Sequence, residues 1–411
     1  MYPTRRRFLQ TAAFAVPAVL AFGQTSLVDR AATGEDALES GAHPLAKPFP
    51  GFEHGMGIGG WLTNYKRFNV LPENRRLQLS IGDFEHFESY ITEDDVRNIA
   101  SMGMDHIRLG FDQIVLEDAQ NPGVYRERIF QIIDAFIGWC EKHGLNVVLN
   151  LHKAVGNYCD IQEPVKLLDD ENLQNRFVAL WLAFERRYTD HPQVAFELLN
   201  EVRDVDPEKW NQLAERSIRE LRRLNSTRRL IVGSRCWNSP DELGKLRLYE
   251  DENVVYTFHN YAPFAFTHQQ GVLQADPLYY NRKMAYPSDI EPYRDYERYV
   301  YGAQNPYPNW QRMDKAFLRW TLRGAFDFVR QHPDKILWCG EFGTIRHCKL
   351  EYRENWMRDM ISLLREYRIP YCVWNYLSTP NDGNRFSLVD DDTRQILSAR
   401  MLRIIQGKET E

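Results

Sequence analysis

A regular alternation of short apolar runs and amphipathic stretches is the feature that most constrains how this chain folds. The apolar runs are rich in the β-branched and aromatic residues that favour strands, and the stretches between them have the period of helices. One helix is predicted to begin after Thr92, a typical N-cap residue. The eight predicted strands are HGMGIGGWL (54–62), MDHIRLGF (104–111), LNVVLNLH (145–152), VAFELLNE (194–201), RLIVGS (229–234), NVVYTFHNY (253–261), KILWCGEF (335–342) and PYCVWNY (370–376).

Eight strands that alternate with helices predict an α/β fold, a single (β/α)8 TIM barrel. A doubly wound open sheet is the alternative. It is disfavoured because no Gly-x-Gly-x-x-Gly leads from a strand into a helix in the manner of a dinucleotide-binding fold. The glycines at 55–60 weaken the assignment of the first strand, but no helical pattern follows them. We therefore expect one barrel domain at residues 49–411, which would carry the active site.

The first 48 residues are predicted to lie outside the barrel. Residues 1–23 combine a basic start with a short apolar stretch, the pattern of a signal peptide, and a disordered basic tail is the alternative. Arg5 and Arg6 resemble the paired arginines of a twin-arginine export signal. Residues 24–48 are small, polar and aperiodic, which predicts a linker. We therefore expect export to the periplasm or the cell exterior, and no membrane association after the signal is removed.

Charge and cysteine usage bear on the expected partners. The net charge is −6 and no basic stripe follows the first residues, so nucleic acid is not expected to bind. The six cysteines lack zinc-like spacing, and export would permit disulfides without the sequence deciding whether any form. Cys140 and Cys339 lie in apolar settings and are predicted to be buried free thiols. We expect a monomer without a cofactor.

Polar side chains stand at or near the carboxyl ends of six predicted strands, where the active sites of (β/α)8 barrels form. Asn200 and Glu201 close the fourth apolar run, although a charged group is costly to bury unless it is paired or used. Two carboxylates on one rim indicate glycoside hydrolysis, which needs an acid and a nucleophile or base. The rim residues are Arg108, His152, Asn200, Glu201, His259, Tyr261, Glu341 and Trp374.

The order of these residues resembles glycoside hydrolase family 5, the cellulase-like retaining β-glycosidases. Four motifs carry the resemblance: Asn-Glu closing strand four, His-x-Tyr on strand six, Glu after strand seven and Trp on strand eight. The resemblance implies that Glu201 is the general acid/base and Glu341 the nucleophile. It also implies that Asn200 binds the sugar 2-hydroxyl, and that Arg108 lies beneath the nucleophile and keeps it ionised.

The same resemblance assigns the remaining rim residues to substrate binding. His152 and His259 would be the rim histidines of the glycone subsite. Tyr261 would direct its hydroxyl at the nucleophile, and Trp374 would form an indole floor under the sugar. Because the two histidines come from different strands and lack the His-x-His of metal-dependent barrels, no metal ion is expected.

Glu197 is a further carboxylate in the fourth apolar run. It stands four residues before Glu201, so along a continuous strand both side chains would point to the same side of the sheet. We expect Glu197 to be a carboxylate of the barrel interior, paired with Arg108 or Arg235, and not a catalytic group.

The resemblance specifies the catalytic mechanism more closely than it specifies which sugar is cleaved. It favours a retaining hydrolase of β-glucan, foremost an endo-β-1,4-glucanase, with a β-linked polysaccharide or oligosaccharide as partner. A β-mannanase, an exo-β-1,3-glucanase or an oligosaccharide-specific β-glycosidase are the alternatives, and a non-catalytic carbohydrate-binding barrel is a distant one. The long connections at 62–91 and 260–311 are expected to border the cleft. The aromatic residues of the second either pack it onto the barrel or stack against sugars.

Overall fold

The computed structural model describes residues 44–66, 71, 75, 78–118, 120–161, 163–271, 280–379 and 383–409. The predicted signal peptide, with Arg5 and Arg6, and the predicted linker up to residue 43 lie outside the described residues. The last linker residues lie against the barrel, where the N–H of Ala46 donates to the carbonyl oxygen of Tyr367 (2.8 Å). Within the described ranges, no helix combines the length and the apolar character needed to cross a membrane.

Eight parallel strands close into a barrel, which confirms the predicted fold. The strands of the described residues are β1 (His54–Leu62), β2 (His106–Asp112), β3 (Asn146–Lys153), β4 (Val194–Glu197), β5 (Leu230–Gly233), β6 (Val254–His259), β7 (Ser288–Asp289), β8 (Arg312–Met313), β9 (Ile336–Phe342) and β10 (Tyr371–Val373). Around the barrel they follow the order β1, β10, β9, β6, β5, β4, β3, β2, while β7 and β8 form a separate antiparallel pair.

Helices alternate with the barrel strands, as the amphipathic stretches predict. The α-helices are α1 (Ile81–Ser89), α2 (Glu93–Ser101), α3 (Gln113–Leu116), α4 (Glu127–Lys142), α5 (Glu171–Tyr188), α6 (Pro207–Arg222), α7 (Phe264–Thr267), α8 (Glu291–Tyr301), α9 (Lys315–Thr321), α10 (Arg323–Gln331), α11 (Leu350–Glu366) and α12 (Ala399–Ile405), with a 3-10 helix at Pro240–Lys245. The predicted cap of α2 is confirmed: Asp95 accepts hydrogen bonds from the backbone N–H (2.9 Å) and the hydroxyl (3.0 Å) of Thr92.

The glycines that weaken the prediction of β1 have a packing reason. A Cβ atom on Gly57 would lie 2.8 Å from Cε3 of Trp374, and one on Gly59 would lie 2.6 Å from Cζ2 of the same indole. Both distances are too short for any side chain. The two glycines therefore leave room for the Trp374 ring at the rim, and β1 still pairs with β2 and β10.

β4 ends at Glu197, four residues before the predicted end of the strand. Its ladder with β3 ends at the pair Asn150–Glu197, although the N–H of Asn200 still donates to the carbonyl oxygen of Leu151 (2.9 Å). Glu201 has a φ of +37°, which interrupts extended backbone. The expectation that Glu197 and Glu201 share one face of a continuous strand is therefore wrong, because the chain between them is not a strand.

The long segment after β6 contains α7, the β7–β8 pair and α8. Most of its described aromatic side chains pack onto the core: Tyr286, Tyr293 and Tyr296 are buried, and several others are half-buried against the same cluster. Tyr299 differs, with 65% of its surface exposed. The packing interpretation of these aromatic residues therefore holds for most of them. Cys140 and Cys339 are buried free thiols, as predicted.

Candidate active site

Arg108 lies in β2 and contacts side chains at the carboxyl ends of β4 and β9. Its side chain is completely buried, and its guanidinium donates hydrogen bonds to three side chains. Nη1 donates to Oε2 of Glu341 (2.6 Å), and Nη2 donates to Oδ1 of Asn200 (2.6 Å). Nε and Nη2 bind both carboxylate oxygens of Glu197 (2.7 and 3.0 Å). Of the two partners predicted for Glu197, the structure thus selects Arg108 and not Arg235.

Glu341 lies in β9, next to its carboxyl end, and both of its carboxylate oxygens accept hydrogen bonds. The hydroxyl of Tyr261 donates to Oε1 (2.6 Å), and Arg108 donates to Oε2 (2.6 Å). Burial raises the pKa of Glu341 above its ordinary value, while His259 and Arg108 act in the opposite direction. Arg108 and Tyr261 also fix the orientation of the carboxylate.

Glu201 follows β4 and is the second carboxylate of the rim. Its side chain keeps 18% of its surface exposed, and its Oε1 lies 3.1 Å from Nδ1 of His259. Burial raises the pKa of Glu201 to about 7, against an opposing effect of the Arg108 charge and with a further rise caused by Asp160. A carboxyl group with this pKa keeps its proton close to neutral pH, as a general acid must.

The two glutamates lie close together. Glu201, His259 and Glu341 each place one oxygen or nitrogen atom within 4.8 Å of the other two. A metal ion could bind between such atoms, but Glu341 already pairs with Arg108, which supplies a positive charge at this point. Carboxyl oxygens this close suit the ~5–5.5 Å separation of retaining glycoside hydrolases better than the ~6.5–9.5 Å of inverting ones. The carboxylate pair therefore fits a double displacement.

His152 and Trp374 form an aromatic stack beside these charges. Their ring centroids lie 5.5 Å apart with planes at 13°, and 8% of the Trp374 surface is exposed. Burial, and after it the charges of Lys153, Arg108 and His259, lower the pKa of His152 well below its ordinary value. The stack places His152 beside Trp374, close to the charges of the other rim residues.

A buried charged cluster lies next to His152, and the sequence analysis did not predict it. Nζ of Lys153 donates to Oδ1 of Asn64 (2.5 Å) and forms an ion pair with Asp160 (3.4 Å). Nδ2 of Asn64 lies 3.3 Å from Nε2 of His152. Burial raises the pKa of Asp112, the last residue of β2, to about 6, although the Lys153 charge opposes this. Lys153 follows His152 directly in the chain, so it could have been identified as a strand-end residue.

The end of β5 also contributes to the site, although none of its residues was predicted. Nδ2 of Asn238 lies 3.2 Å from Nε2 of His259, on the side of the ring away from Glu201. The indole N–H of Trp237 donates to the carbonyl oxygen of Cys159 (2.9 Å). An indole and an amide three and four residues after a predicted strand are the same kind of signal that identified the other rim residues.

The eight predicted rim residues therefore come together. Hydrogen bonds connect Arg108, Asn200, Glu201, His259, Tyr261 and Glu341 in two groups that meet at the glutamate pair, and the stack of His152 and Trp374 borders them. His259 differs from the expectation in one respect. One of its ring nitrogens faces Glu201 and the other faces Asn238, so both are used within the protein.

Sequence comparisons agree with this geometry. The profile of the family described as "Cellulase (glycosyl hydrolase family 5)" matches residues 71–379. Endoglucanase C of Acetivibrio thermocellus is 36% identical over 366 residues, which cover 87% of this chain and 99% of that protein. Cellodextrinase A of Ruminococcus flavefaciens is 28% identical over 324 residues, covering 78% of this chain and 84% of that one.

Solved structures share the fold. A hyperthermophilic endo-β-1,4-glucanase crystallised with substrate superposes with a TM-score of 0.66 at 19% identity, covering 87% of this chain and 97% of its own. Endoglucanase Cel5A of Thermotoga maritima superposes with a TM-score of 0.65 at 23% identity, covering 86% and 97%. At such identities the likeness extends to the barrel alone. The family profile and the long match to endoglucanase C decide the family: this chain belongs to the cellulases of glycoside hydrolase family 5.

Proposed function

We propose that this protein is a retaining endo-β-1,4-glucanase that uses Glu201 as acid/base and Glu341 as nucleophile. The observation that carries the proposal is the glutamate pair itself, with one carboxyl group near pKa 7 and the other held by Arg108 and Tyr261. The 36% identity to an endoglucanase over 87% of the chain supports the choice of glucan. The other rim residues would bind the sugar on the glycone side.

In the first step, Glu341 attacks the anomeric carbon of the bound sugar while Glu201 donates its proton to the glycosidic oxygen. The bond between the anomeric carbon and that oxygen breaks, a sugar leaves with the proton, and a glycosyl ester forms on Glu341. Arg108 and Tyr261 hold the attacking carboxylate in place during this step. The developing ester removes the negative charge of Glu341, which lowers the pKa of Glu201 and prepares it to act as a base.

In the second step, Glu201 accepts a proton from water, and the water oxygen attacks the anomeric carbon. The ester bond to Glu341 breaks, so the carboxylate returns with its two hydrogen bonds, and Glu201 regains its proton. Two inversions at one carbon leave the product with the β configuration of the substrate. Asn200, oriented by Arg108, is the residue proposed to hold the sugar 2-hydroxyl through both steps.

The endo mode of action is tested with carboxymethyl cellulose and a substrate panel. We expect the viscosity to fall steeply before many reducing ends appear, because internal cuts shorten a chain fastest. β-Mannan, β-1,3-glucan and aryl β-glucosides serve as the comparison. Preferred hydrolysis of one of these, or steady release of single sugars from chain ends, would replace the proposal with the corresponding activity of the same family.

Export by the twin-arginine route is a separate proposal, motivated by the basic and apolar pattern of residues 1–23. Changing Arg5 and Arg6 together to Lys is expected to leave an uncleaved precursor in the cytoplasm, because a receptor reads the arginine pair and not its charge alone. Fractionation and immunoblotting measure the distribution. Unchanged export of the double variant would exclude this signal.

A further inference from the structure

A turn with left-handed backbone follows β5 and places the side chain of Asn238 next to His259. Three consecutive residues have positive φ: Cys236 (+53°), Trp237 (+58°) and Asn238 (+56°). Side chains disfavour this region, and such backbone persists where the surroundings hold it, often at functional sites. Here the N–H of Trp237 donates to the carbonyl oxygen of Val202 (2.9 Å), one residue after Glu201. The turn is therefore tied to the segment that carries the proposed acid/base.

Asn238 is completely buried at the end of this turn. Its side chain folds back over β5, where a Cβ on Gly233 would lie 2.4 Å from its Oδ1. Its Nδ2 lies 3.2 Å from Nε2 of His259. In this structure the amide nitrogen of Asn238 faces Nε2, and because an amide nitrogen only donates hydrogen bonds, Nε2 accepts in this arrangement and carries no proton. The proton of the neutral imidazole then lies on Nδ1, which donates to Oε1 of Glu201 at 3.1 Å.

This tautomer of His259 determines which oxygen of Glu201 carries the acid proton. Because Oε1 of Glu201 accepts from His259, the carboxyl proton lies on Oε2, the other oxygen. We propose that Asn238 is a positioning residue that fixes the tautomer of His259 and thereby keeps the proton of Glu201 on Oε2 for transfer to the leaving sugar. This inference rests on the proposed role of Glu201. Burial also lowers the pKa of His259 to about 4, so the ring is neutral at the pH where Glu201 is protonated.

Several charged and titratable groups face this pair from the neighbouring elements. They are Arg108 on β2, Cys159 and Asp160 after β3, Glu197 on β4, Tyr261 after β6 and Glu341 on β9. None of them accepts from or donates to Nε2 of His259 among the hydrogen bonds of the described residues, whereas Asn238 does. Asn238 is therefore the side chain through which the proposed tautomer is set.

His152, the other rim histidine, also has an asparagine amide next to its Nε2 atom. Asn64 also has a positive φ (+54°), and its Nδ2 lies 3.3 Å from Nε2 of His152. Lys153 donates to Oδ1 of Asn64 (2.5 Å), which fixes the direction of that amide. Nδ1 of His152 then donates to Oδ1 of Asn150 (2.9 Å). Asparagine tolerates left-handed backbone better than most residues, so both amides can be placed in this way.

The direct test is the tautomer of His259, observed by nitrogen-15 NMR of the enzyme labelled at histidine. A His259→Gln variant assigns the resonances. We expect Nδ1 to carry the proton and Nε2 to be unprotonated from about pH 5 to 7, above the lowered pKa of the ring. A proton on Nε2 would overturn the inference. This readout does not depend on turnover, whereas failure of the proposed function would appear as no β-glucan hydrolysis by the unaltered enzyme.

The kinetic test is Asn238→Gly, which removes the amide but keeps a residue that adopts positive φ readily. We expect kcat/KM on cellotetraose to fall about 10-fold, a part of the 10²–10⁴-fold contribution of general acid catalysis. With 2,4-dinitrophenyl β-cellobioside, whose leaving group needs no proton, the first step should be unchanged. Asn64→Gly is the matched control, since it acts on His152 and should affect the two substrates equally. Equal losses for Asn238→Gly, or none, would contradict the inference.

Discussion

Replacing Glu341 with Gln is expected to lower kcat on β-glucan by at least about 1,000-fold, a loss of about 4 kcal/mol of transition-state stabilisation. An amide cannot form the glycosyl ester of a double displacement. The fold should be unaffected, because the amide oxygen can still accept from Arg108 while the amide nitrogen donates to the oxygen of Tyr261. Steady-state kinetics and the calorimetric affinity for cellotriose measure the two effects.

Glu185 offers a matched control for this substitution. Like Glu341, it is a buried glutamate paired with a buried arginine, Arg228 (2.7 Å), but Arg228 binds the carbonyl oxygens of His191 and Val194 at the opposite, amino-terminal end of β4. Glu185→Gln should reduce the melting temperature and leave kcat close to wild type. If Glu341→Gln kept more than about a tenth of kcat, where loss of a nucleophile costs orders of magnitude, Glu341 would not be the nucleophile.

Glu201→Ala is expected to affect substrates unequally, according to their need for a proton. Natural glucan should be nearly inert, because the departing sugar oxygen must be protonated. A 2,4-dinitrophenyl glycoside needs no protonation, so Glu341 can still be glycosylated and the ester should accumulate, since no base activates water. A burst of dinitrophenolate followed by slow turnover is the expected time course.

Azide should rescue this variant, since the anion attacks without a general base. Turnover of the activated substrate should return, with a β-glycosyl azide as product. Asn200→Ala provides the contrast: it should slow good and poor substrates alike, because the contact with the 2-hydroxyl strengthens in both transition states. Equal losses on both substrate types for Glu201→Ala, without azide rescue, would rule out the acid/base role.

The barrel was predictable because each strand and helix is encoded locally. The eight apolar runs all became barrel strands, and even the glycine-rich first run did so, since Gly57 and Gly59 are needed to admit Trp374. The rim residues were predictable for a related reason. A charged or amide side chain at the end of an apolar run is costly unless it is used.

The remaining features depend on local backbone conformation, which the apolar pattern does not reveal. Apart from Glu197, the run at 194–201 stays apolar through Leu199, so the end of β4 at Glu197 and the positive φ of Glu201 were missed. The left-handed turn at 236–238 gives no periodic signal, and Asn238 reaches His259 only through that turn. The buried interactions of Lys153 involve Asn64 after β1, Asp112 in β2 and Asp160 after β3, which the pattern of any one segment does not reveal.

The central claim is that Glu341 becomes glycosylated, while Glu201 donates a proton in the first step and accepts one in the second. It is tested most directly by mass spectrometry of Glu201→Ala, quenched during the reaction with 2,4-dinitrophenyl β-cellobioside and then digested. The account predicts one added cellobiosyl group, on the peptide and the side chain of Glu341. A cellobiosyl group on any other residue, or its absence throughout a dinitrophenolate burst, would contradict it.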